Sequence, residues 1–177
     1  ALPAAARGAA VLVNTAGTRR TIVGTQTDLY ELSGSTYSDV GGVTYTGSSE
    51  NRWMFAQFGD AAIATNDTER IQSSTSGTFT NITAAPIARI VISVPNFVIA
   101  FNTNNSPGSA TYGDSPDRWW CSAFQNHSDW TPSVTTQCTT GRLVESGGEL
   151  TAGAPFGSGC VAYKARAMYL GQYVGPP

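Results

Sequence analysis

The stretch Asp117-Arg-Trp-Trp-Cys-Ser-Ala-Phe-Gln-Asn-His-Ser-Asp-Trp130, followed by Thr-Pro-Ser-Val134, decides the fold class of this chain. Its first residues are aromatic and compatible with a strand, and its last residues form a Ser-Asp-Trp-Thr-Pro turn. The pattern predicts one buried strand that leaves a sheet through a corner plugged by an aromatic side chain.

Two looser copies of this corner occur earlier, in Ser35-Thr-Tyr-Ser-Asp-Val40 and Gly77-Thr-Phe-Thr-Asn-Ile82. In each, an aromatic residue is followed by a hydroxyl residue and then by Asp, Asn or Pro. The aromatic anchors, Tyr37, Phe79 and Trp130, are 42 and 51 residues apart. Periods of roughly 40 to 50 residues, each with several short strands, are typical of β-propeller blades.

Short apolar or alternating segments, separated by Gly, Pro, Asn and Asp turns, fill the chain between these anchors, and no segment has helical periodicity. The pattern predicts an all-β fold of antiparallel meanders arranged as blades of an irregular β-propeller. Blade-like units are predicted at about 8–42, 51–82, 86–133 and 134–177. Residues 1–177 are therefore interpreted as a single β-propeller segment.

Four individual segments have distinct patterns. Residues 86–94 are apolar almost throughout, which predicts a strand buried on both faces. Residues 102–116 are polar and rich in Gly, Ser and Asn, which predicts a long exposed loop. The Arg19-Arg20 pair is interpreted as an exposed turn, and 159–171 as a hairpin, the only one in the last unit.

Charged residues make up only 12% of the 177 residues, about half the usual share, and the formal net charge is −2. A hydrophobic content of 41% at so low a net charge argues for a folded chain. A surface poor in charge favours extensive contact with other protein, in an assembly or within further parts of the same chain. The alternative is a secreted β-protein with a surface rich in hydroxyl groups.

Two classes of partner are disfavoured by the composition. No stripe of Lys and Arg is present, as a protein that binds nucleic acid through phosphates would need. No apolar run approaches the roughly 20 residues of a membrane-spanning helix, so no membrane span is predicted.

We assign no catalytic, cofactor-binding or metal-binding residue. Cys121, Cys138 and Cys160 match no zinc or CxxC spacing, so structural thiols are the first interpretation and a Cys121–Cys138 disulfide is the alternative. His127 is the single histidine, and no Gly-x-Ser-x-Gly nucleophile elbow accompanies it. The chain is predicted not to be an enzyme and to use no cofactor.

Three pairs of carboxylates lie near each other in the sequence: Asp67 with Glu69, Asp114 with Asp117, and Glu145 with Glu149. The first pair lacks the spacing of Asx and Gly residues that a calcium loop needs. The other two pairs lie in loop-like segments, and we interpret them as solvated groups rather than as the two carboxylates of a glycosidase.

The sequence resembles a family of tailed-bacteriophage structural proteins that carry an irregular β-propeller and serve as tail hub, nozzle or head-to-tail stabilisation proteins. The resemblance spans about 10–177 and rests on four motifs. These are Arg118 with Trp120 and Ser122, Asp129-Trp130, the terminal Tyr173-Val-Gly-Pro-Pro177, and the strand pair that begins at Trp53 and ends at Asn66.

The resemblance implies a non-enzymatic virion protein, located in the tail or neck around the DNA channel. Its implied partners are other tail or neck proteins and further copies of itself in a symmetric ring, with genomic DNA passing through without specific binding. The alternative function is a host-surface or carbohydrate-binding β-propeller module, in which exposed aromatics such as Tyr112 near Asp114 stack on sugars.

Members of this family continue past the Pro-Pro motif with more blades. We therefore expect these 177 residues to be part of a longer subunit. Expressed alone, they are expected to be insoluble or to associate through the strands around Val11 and Leu170, since a blade without a neighbour exposes an apolar face and an open strand edge.

Overall fold

The computed structural model describes residues 1–104 and 109–175, without the side chain of Ser109. The strands are β1 (Gly8–Val13), β2 (Arg19–Gly24), β3 (Leu29–Ser33), β4 (Thr36–Asp39), β5 (Met54–Phe58), β6 (Ala61–Thr65), β7 (Gln72–Ser74), β8 (Thr80–Asn81), β9 (Ile87–Val94), β10 (Phe97–Asn104), β11 (Ser115–Cys121), β12 (Thr140–Arg142), β13 (Leu150–Phe156), β14 (Gly159–Lys164) and β15 (Met168–Gly171). A four-residue helix, α1 (Ser109–Tyr112), lies between β10 and β11. Residues Pro176 and Pro177 of the terminal motif lie outside the described residues.

The strands form four antiparallel sheets, each made of strands that are consecutive in the sequence. We call them the first sheet (β1–β4), the second sheet (β5–β8), the third sheet (β9–β12) and the fourth sheet (β13–β15). Tight turns join many of the strands, as at Gly34 and Gly59, which have positive φ angles of 61° and 55° that glycine adopts without strain. The predicted all-β class, with antiparallel meanders, is confirmed.

The sheets pack face to face in chain order. Contacts join β1 to β5, β5 and β6 to β9, and β9, β10 and β11 to β13. A separate hydrophobic cluster lies in each of the three spaces between neighbouring sheets. We call these spaces the first, second and third clefts, numbered from the first sheet to the fourth.

The aromatic corners are confirmed at two of the three predicted anchors. Phe79 is fully buried in the first cleft, and Trp130 is buried in the second. The prediction for Tyr37 is wrong, because Tyr37 pairs with Leu32 on the face of the first sheet that points away from the second sheet. Instead, Tyr45 in the connection after β4 is the aromatic residue of this unit that is buried in the first cleft.

The strand predicted at 86–94 is confirmed as β9, with both faces buried along most of its length. Val91 packs in the second cleft and Ile90 in the third, while Arg89 stays exposed. The hairpin predicted at 159–171 is also confirmed, as β14 and β15.

The structure differs from the sequence analysis in three other places. The third sheet continues through β12 at Thr140–Arg142, so the approximate unit boundary at 133 falls inside that sheet. The loop predicted at 102–116 is shorter, because β10 runs to Asn104 and β11 begins at Ser115, while 105–108 lie outside the described residues. The fourth sheet contains an edge strand, β13, that the sequence analysis did not predict, because its Gly and Pro residues are unusual in strands. An edge strand tolerates the missing N–H of Pro155.

Arg20 does not lie in an exposed turn. It forms a bidentate ion pair with Glu31, with N···O distances of 2.9 and 2.8 Å, and donates to the Ser74 hydroxyl and the Gly77 carbonyl of the second sheet. Its guanidinium carbon is 5.6 Å from the centre of the Phe79 ring. The side chain therefore ties the first two sheets together.

No helix in the described part of the chain is long and apolar enough to cross a membrane.

Candidate functional site

A cavity of about 790 Å³ occupies the third cleft, between the third and fourth sheets. This volume is in the range of about 300 to 1,000 Å³ that is usual for ligand sites. Its lining is mainly apolar and includes Phe97, Phe101, Trp119, Cys160, Ala162 and Tyr169.

Large side chains of the third sheet bound the cavity on one wall, and small side chains of β14 form the middle of the other wall. On the third sheet, Phe101 and Trp119 are paired across β10 and β11 and share the face toward the cleft. On the fourth sheet, Cys160 pairs with Gly171, and Ala162 is the next residue on the same face. Tyr169 of β15 pairs with Ala162 and is the large side chain of this wall, so the small residues that face the cavity are those of β14.

The mouth of the cavity is bridged by Tyr173, which follows β15. Its ring centre is 5.2 Å from that of Phe97 and 6.0 Å from that of Phe124, and its hydroxyl donates to the Gln137 side-chain oxygen. Its side chain remains 41% exposed, so Tyr173 joins the two sheets at the rim and leaves the interior open.

All three cysteines line this cavity, and all three are free and buried. The alternative of a Cys121–Cys138 disulfide is therefore wrong for this structure. Instead, the Cys138 thiol donates to the Cys121 carbonyl at 2.9 Å, and the Thr139 N–H donates to the Cys121 sulfur at 3.3 Å.

The pKa values of the thiols diverge. A hydrogen bond from the Cys138 thiol lowers the pKa of Cys121, and the same pairing raises the pKa of Cys138. Burial raises the pKa of Cys160. No group of three or more His, Cys, Asp or Glu residues that could hold a metal ion occurs within 1–104 and 109–175.

The carboxylates make contacts typical of structural groups. Asp117 accepts two hydrogen bonds from Arg142, at 2.7 and 3.0 Å, and this partner holds its pKa down at about 2. Glu149 pairs with Arg89 at 3.0 Å, and Glu69 accepts from the Thr46 hydroxyl at 2.7 Å.

The other three carboxylates of the pairs noted in the sequence, Asp67, Asp114 and Glu145, also lie outside the cavity lining. Burial raises the pKa of Asp67, which accepts from Asn104 at 3.3 Å. Glu145 is exposed, and Asp114 lies near enough to Arg118 to influence its pKa. The structure therefore brings no predicted pair to this cavity.

The histidine and the aromatic residue proposed for sugar binding also pack against neighbours. The ring of His127 lies 6.1 Å from that of Phe58, and burial lowers its pKa. Tyr112, 38% exposed, meets Trp120 edge to face at 5.5 Å, and its carbonyl accepts a hydrogen bond from Arg118.

Sequence reasoning missed the cavity. Its only local signal is the run of small residues in Gly159-Cys-Val-Ala162, which resembles any strand with small side chains. Whether such a run meets a filled or an open space depends on the sheet packed against it.

No protein-family model matches this chain, and no curated protein matches it significantly.

Proposed function

We propose that this chain is a non-enzymatic structural component of a tailed-bacteriophage virion. Its four sheets form part of an irregular β-propeller subunit in the tail or neck, and copies of the subunit pack as a ring around the DNA channel. The observation that supports this proposal is the open stack of sheets, in which both outer faces are apolar and exposed.

The outer face of the first sheet is formed in part by β1. Val11 is 60% exposed and Val13 is 44% exposed, while Leu12 between them is buried against the second sheet. A strand of a solvated surface sheet normally alternates apolar and polar residues, whereas β1 is apolar on both sides. This face has the composition of one that packs against another sheet.

The outer face of the fourth sheet has the same character. Phe156, Met168 and Leu170 are 63%, 68% and 67% exposed. Met168 pairs with Tyr163, and Leu170 pairs with Val161, so these side chains form one continuous patch. Exposed apolar patches of this kind mark protein contact sites.

A stack with two apolar ends can be completed by another sheet at each end, from the same subunit or from a second copy. Ring closure through such contacts is the architecture of a propeller, in which roughly four to eight sheets surround a central channel. The formal net charge of −2 suits a conduit through which DNA slides without binding.

Locating the chain in intact virus particles tests the proposal. Antibodies against the 177-residue chain should label the tail or neck of the particles, and image reconstruction should place copies with rotational symmetry about the tail axis. Particles that lack the chain, combined with a purified protein that remains a monodisperse monomer, would contradict the proposal.

A further inference from the structure

Two free thiols stand at the two ends of the connection that carries Trp130. Cys121 is the last residue of β11, and Cys138 lies two residues before β12. The Cys121 N–H donates to the Thr139 carbonyl at 3.0 Å, and the Thr139 N–H donates to the Cys121 sulfur at 3.3 Å. The Cys138 thiol donates to the Cys121 carbonyl at 2.9 Å. Contacts this close hold the two cysteines as neighbours across two strands, a placement that suits a disulfide.

The two thiols have different chemical character. The sulfur of Cys121 accepts a hydrogen bond from the Thr139 N–H, and hydrogen bonding by the Cys138 thiol lowers the pKa of Cys121. Cys138 is the donor of the pair, and this pairing, together with burial, raises its pKa. Because the thiolate is the reactive form of cysteine, Cys121 is the nucleophile and Cys138 is the second thiol within its reach.

Cys160 provides a comparison within the same molecule. It lies on β14 in the fourth sheet, and burial raises its pKa. Within residues 1–104 and 109–175, no thiol donates a hydrogen bond to its sulfur. All three cysteines line the cavity of the third cleft, so a small oxidant has the same route to each of them.

We propose that Cys121 and Cys138 are a redox-sensitive pair, which a hydroperoxide converts into a disulfide that stabilises the connection around Trp130. In the first step, the Cys121 thiolate attacks one oxygen of hydrogen peroxide, the O–O bond breaks, and hydroxide leaves, so Cys121 becomes a sulfenic acid. In the second step, the Cys138 sulfur attacks the Cys121 sulfur and the S–O bond breaks. The departing hydroxide takes the Cys138 proton and forms water, and the electron pair lost by the thiols has reduced the peroxide.

The disulfide would act on the corner that joins the second and third sheets. It would link residues 17 apart, and such a link stabilises the folded state mainly by restricting the unfolded chain. Trp130 lies inside the closed segment, is 1% exposed, and packs in the second cleft. Its indole N–H donates to the His127 carbonyl of the same segment at 2.8 Å. Oxidation therefore favours the conformation in which this ring is seated.

This inference is independent of the virion role and of the outer faces of the stack. Both cysteines belong to the third sheet and its own connection, so their geometry does not depend on what packs in the third cleft.

Peroxide treatment of the folded 177-residue protein tests the proposal. After catalase has removed the peroxide, the protein is unfolded and its remaining thiols are alkylated with iodoacetamide. We expect Cys121 and Cys138 to lose their reactivity together, about tenfold faster than Cys160. Chymotrypsin cleaves after Phe124 and Trp130 and so separates the two cysteines, whose peptides should stay joined until dithiothreitol is added. Equal loss of all three thiols, or a disulfide to Cys160, would overturn the proposal.

Matched variants separate the roles of the two thiols. Cys138→Ala should prevent the disulfide and leave Cys121 as a sulfenic acid that dimedone labels. Cys160→Ala is the control and should leave the oxidation of the pair unchanged. Absence of dimedone label on Cys121 in Cys138→Ala would contradict its assignment as the attacking thiol. If Cys138→Ala does not fold, peptide mapping of the unmodified protein decides the question.

Thermal unfolding measures the effect of the disulfide on stability. The oxidised protein should have a Tm about 5 to 10 °C above that of the reduced protein, and dithiothreitol should reverse the rise. Cys160→Ala should show the same rise. A Tm that is unchanged or lowered by oxidation would contradict the stabilising role of the pair.

Discussion

Phe79 and Trp130 each contact two sheets at once, so their rings stabilise the stacking of sheets as well as the sheet that carries them. We predict that Phe79→Ala lowers the free energy of unfolding by about 3 to 5 kcal/mol, the usual cost of removing a buried aromatic side chain. Urea denaturation measures the difference. The matched control is Tyr37→Ala, which removes a half-buried ring of the same motif and should cost under about 1 kcal/mol. Equal effects would show that Phe79 does not close the first cleft.

The ion pair of Asp117 with Arg142 should make the stability of the protein depend on pH. Arg142 holds its folded-state pKa at about 2, below the ordinary value of 3.8, so the ionised form is favoured by folding. The resulting stability is present above about pH 4 and is lost as the pH falls toward 2. We predict that Asp117→Asn lowers stability at pH 6 and flattens the acid limb of the stability profile between pH about 4 and about 2.

Thermal melts recorded across this pH range test the prediction. Glu145→Gln, at an exposed carboxylate, should leave the profile unchanged. An acid limb as steep in Asp117→Asn as in the unmodified protein would mean that the ion pair with Arg142 makes no contribution to folding.

At the scale of elements, the connection after β4 fits closely against the corner that follows β7. A Cβ atom at Gly42 would lie 2.1 Å from the carbonyl oxygen of Phe79, and a backbone atom cannot move aside as a side chain can. We predict that Gly42→Ala destabilises the protein by about 1 to 3 kcal/mol through this overlap, although Gly42 is exposed.

Gly147→Ala is the control for that substitution, because an added Cβ at Gly147 meets nothing within 4 Å. This substitution should change the free energy of unfolding by no more than about 0.5 kcal/mol. If the two variants unfold at the same urea concentration, the first two sheets are more loosely joined than the distances imply.

At the scale of the molecule, the two exposed outer faces control association. We predict that the 177-residue chain self-associates at micromolar concentrations, and that Val11→Glu and Met168→Glu each weaken this association by about tenfold or more, since each places a charge in an apolar contact. Sedimentation velocity over a range of concentrations measures the effect.

Val144→Glu is the matched control for these charge substitutions. Val144 is 61% exposed, but it lies in the connection between β12 and β13 rather than on an outer face. Association weakened equally by all three substitutions would indicate non-specific aggregation instead of contact through the outer faces.

The sequence by itself determined the strands and the class. Alternation, apolar runs and turn residues depend on neighbours a few positions apart, so β9, the hairpin of β14 and β15, and the corners at Phe79 and Trp130 could be predicted. The same logic failed where local pattern and tertiary position diverge. Pro155 and Gly153 hid an edge strand, and the apolar ring of Tyr37 followed the corner motif but lies on the outer face of its sheet.

The tertiary structure alone decided which face of each sheet meets its neighbour, and that placement created both the long-range polar contacts and the cavity. Arg20 bonds to Ser74 and Gly77 across the first cleft, and Lys164 is buried because it donates to the carbonyls of Leu143 and Ser146. These partners lie 18 to 57 residues away in the sequence, beyond the reach of any local pattern. The volume of the third cleft has the same origin: it depends on how the side chains of two sheets fit against each other, and only their packing brings those walls together.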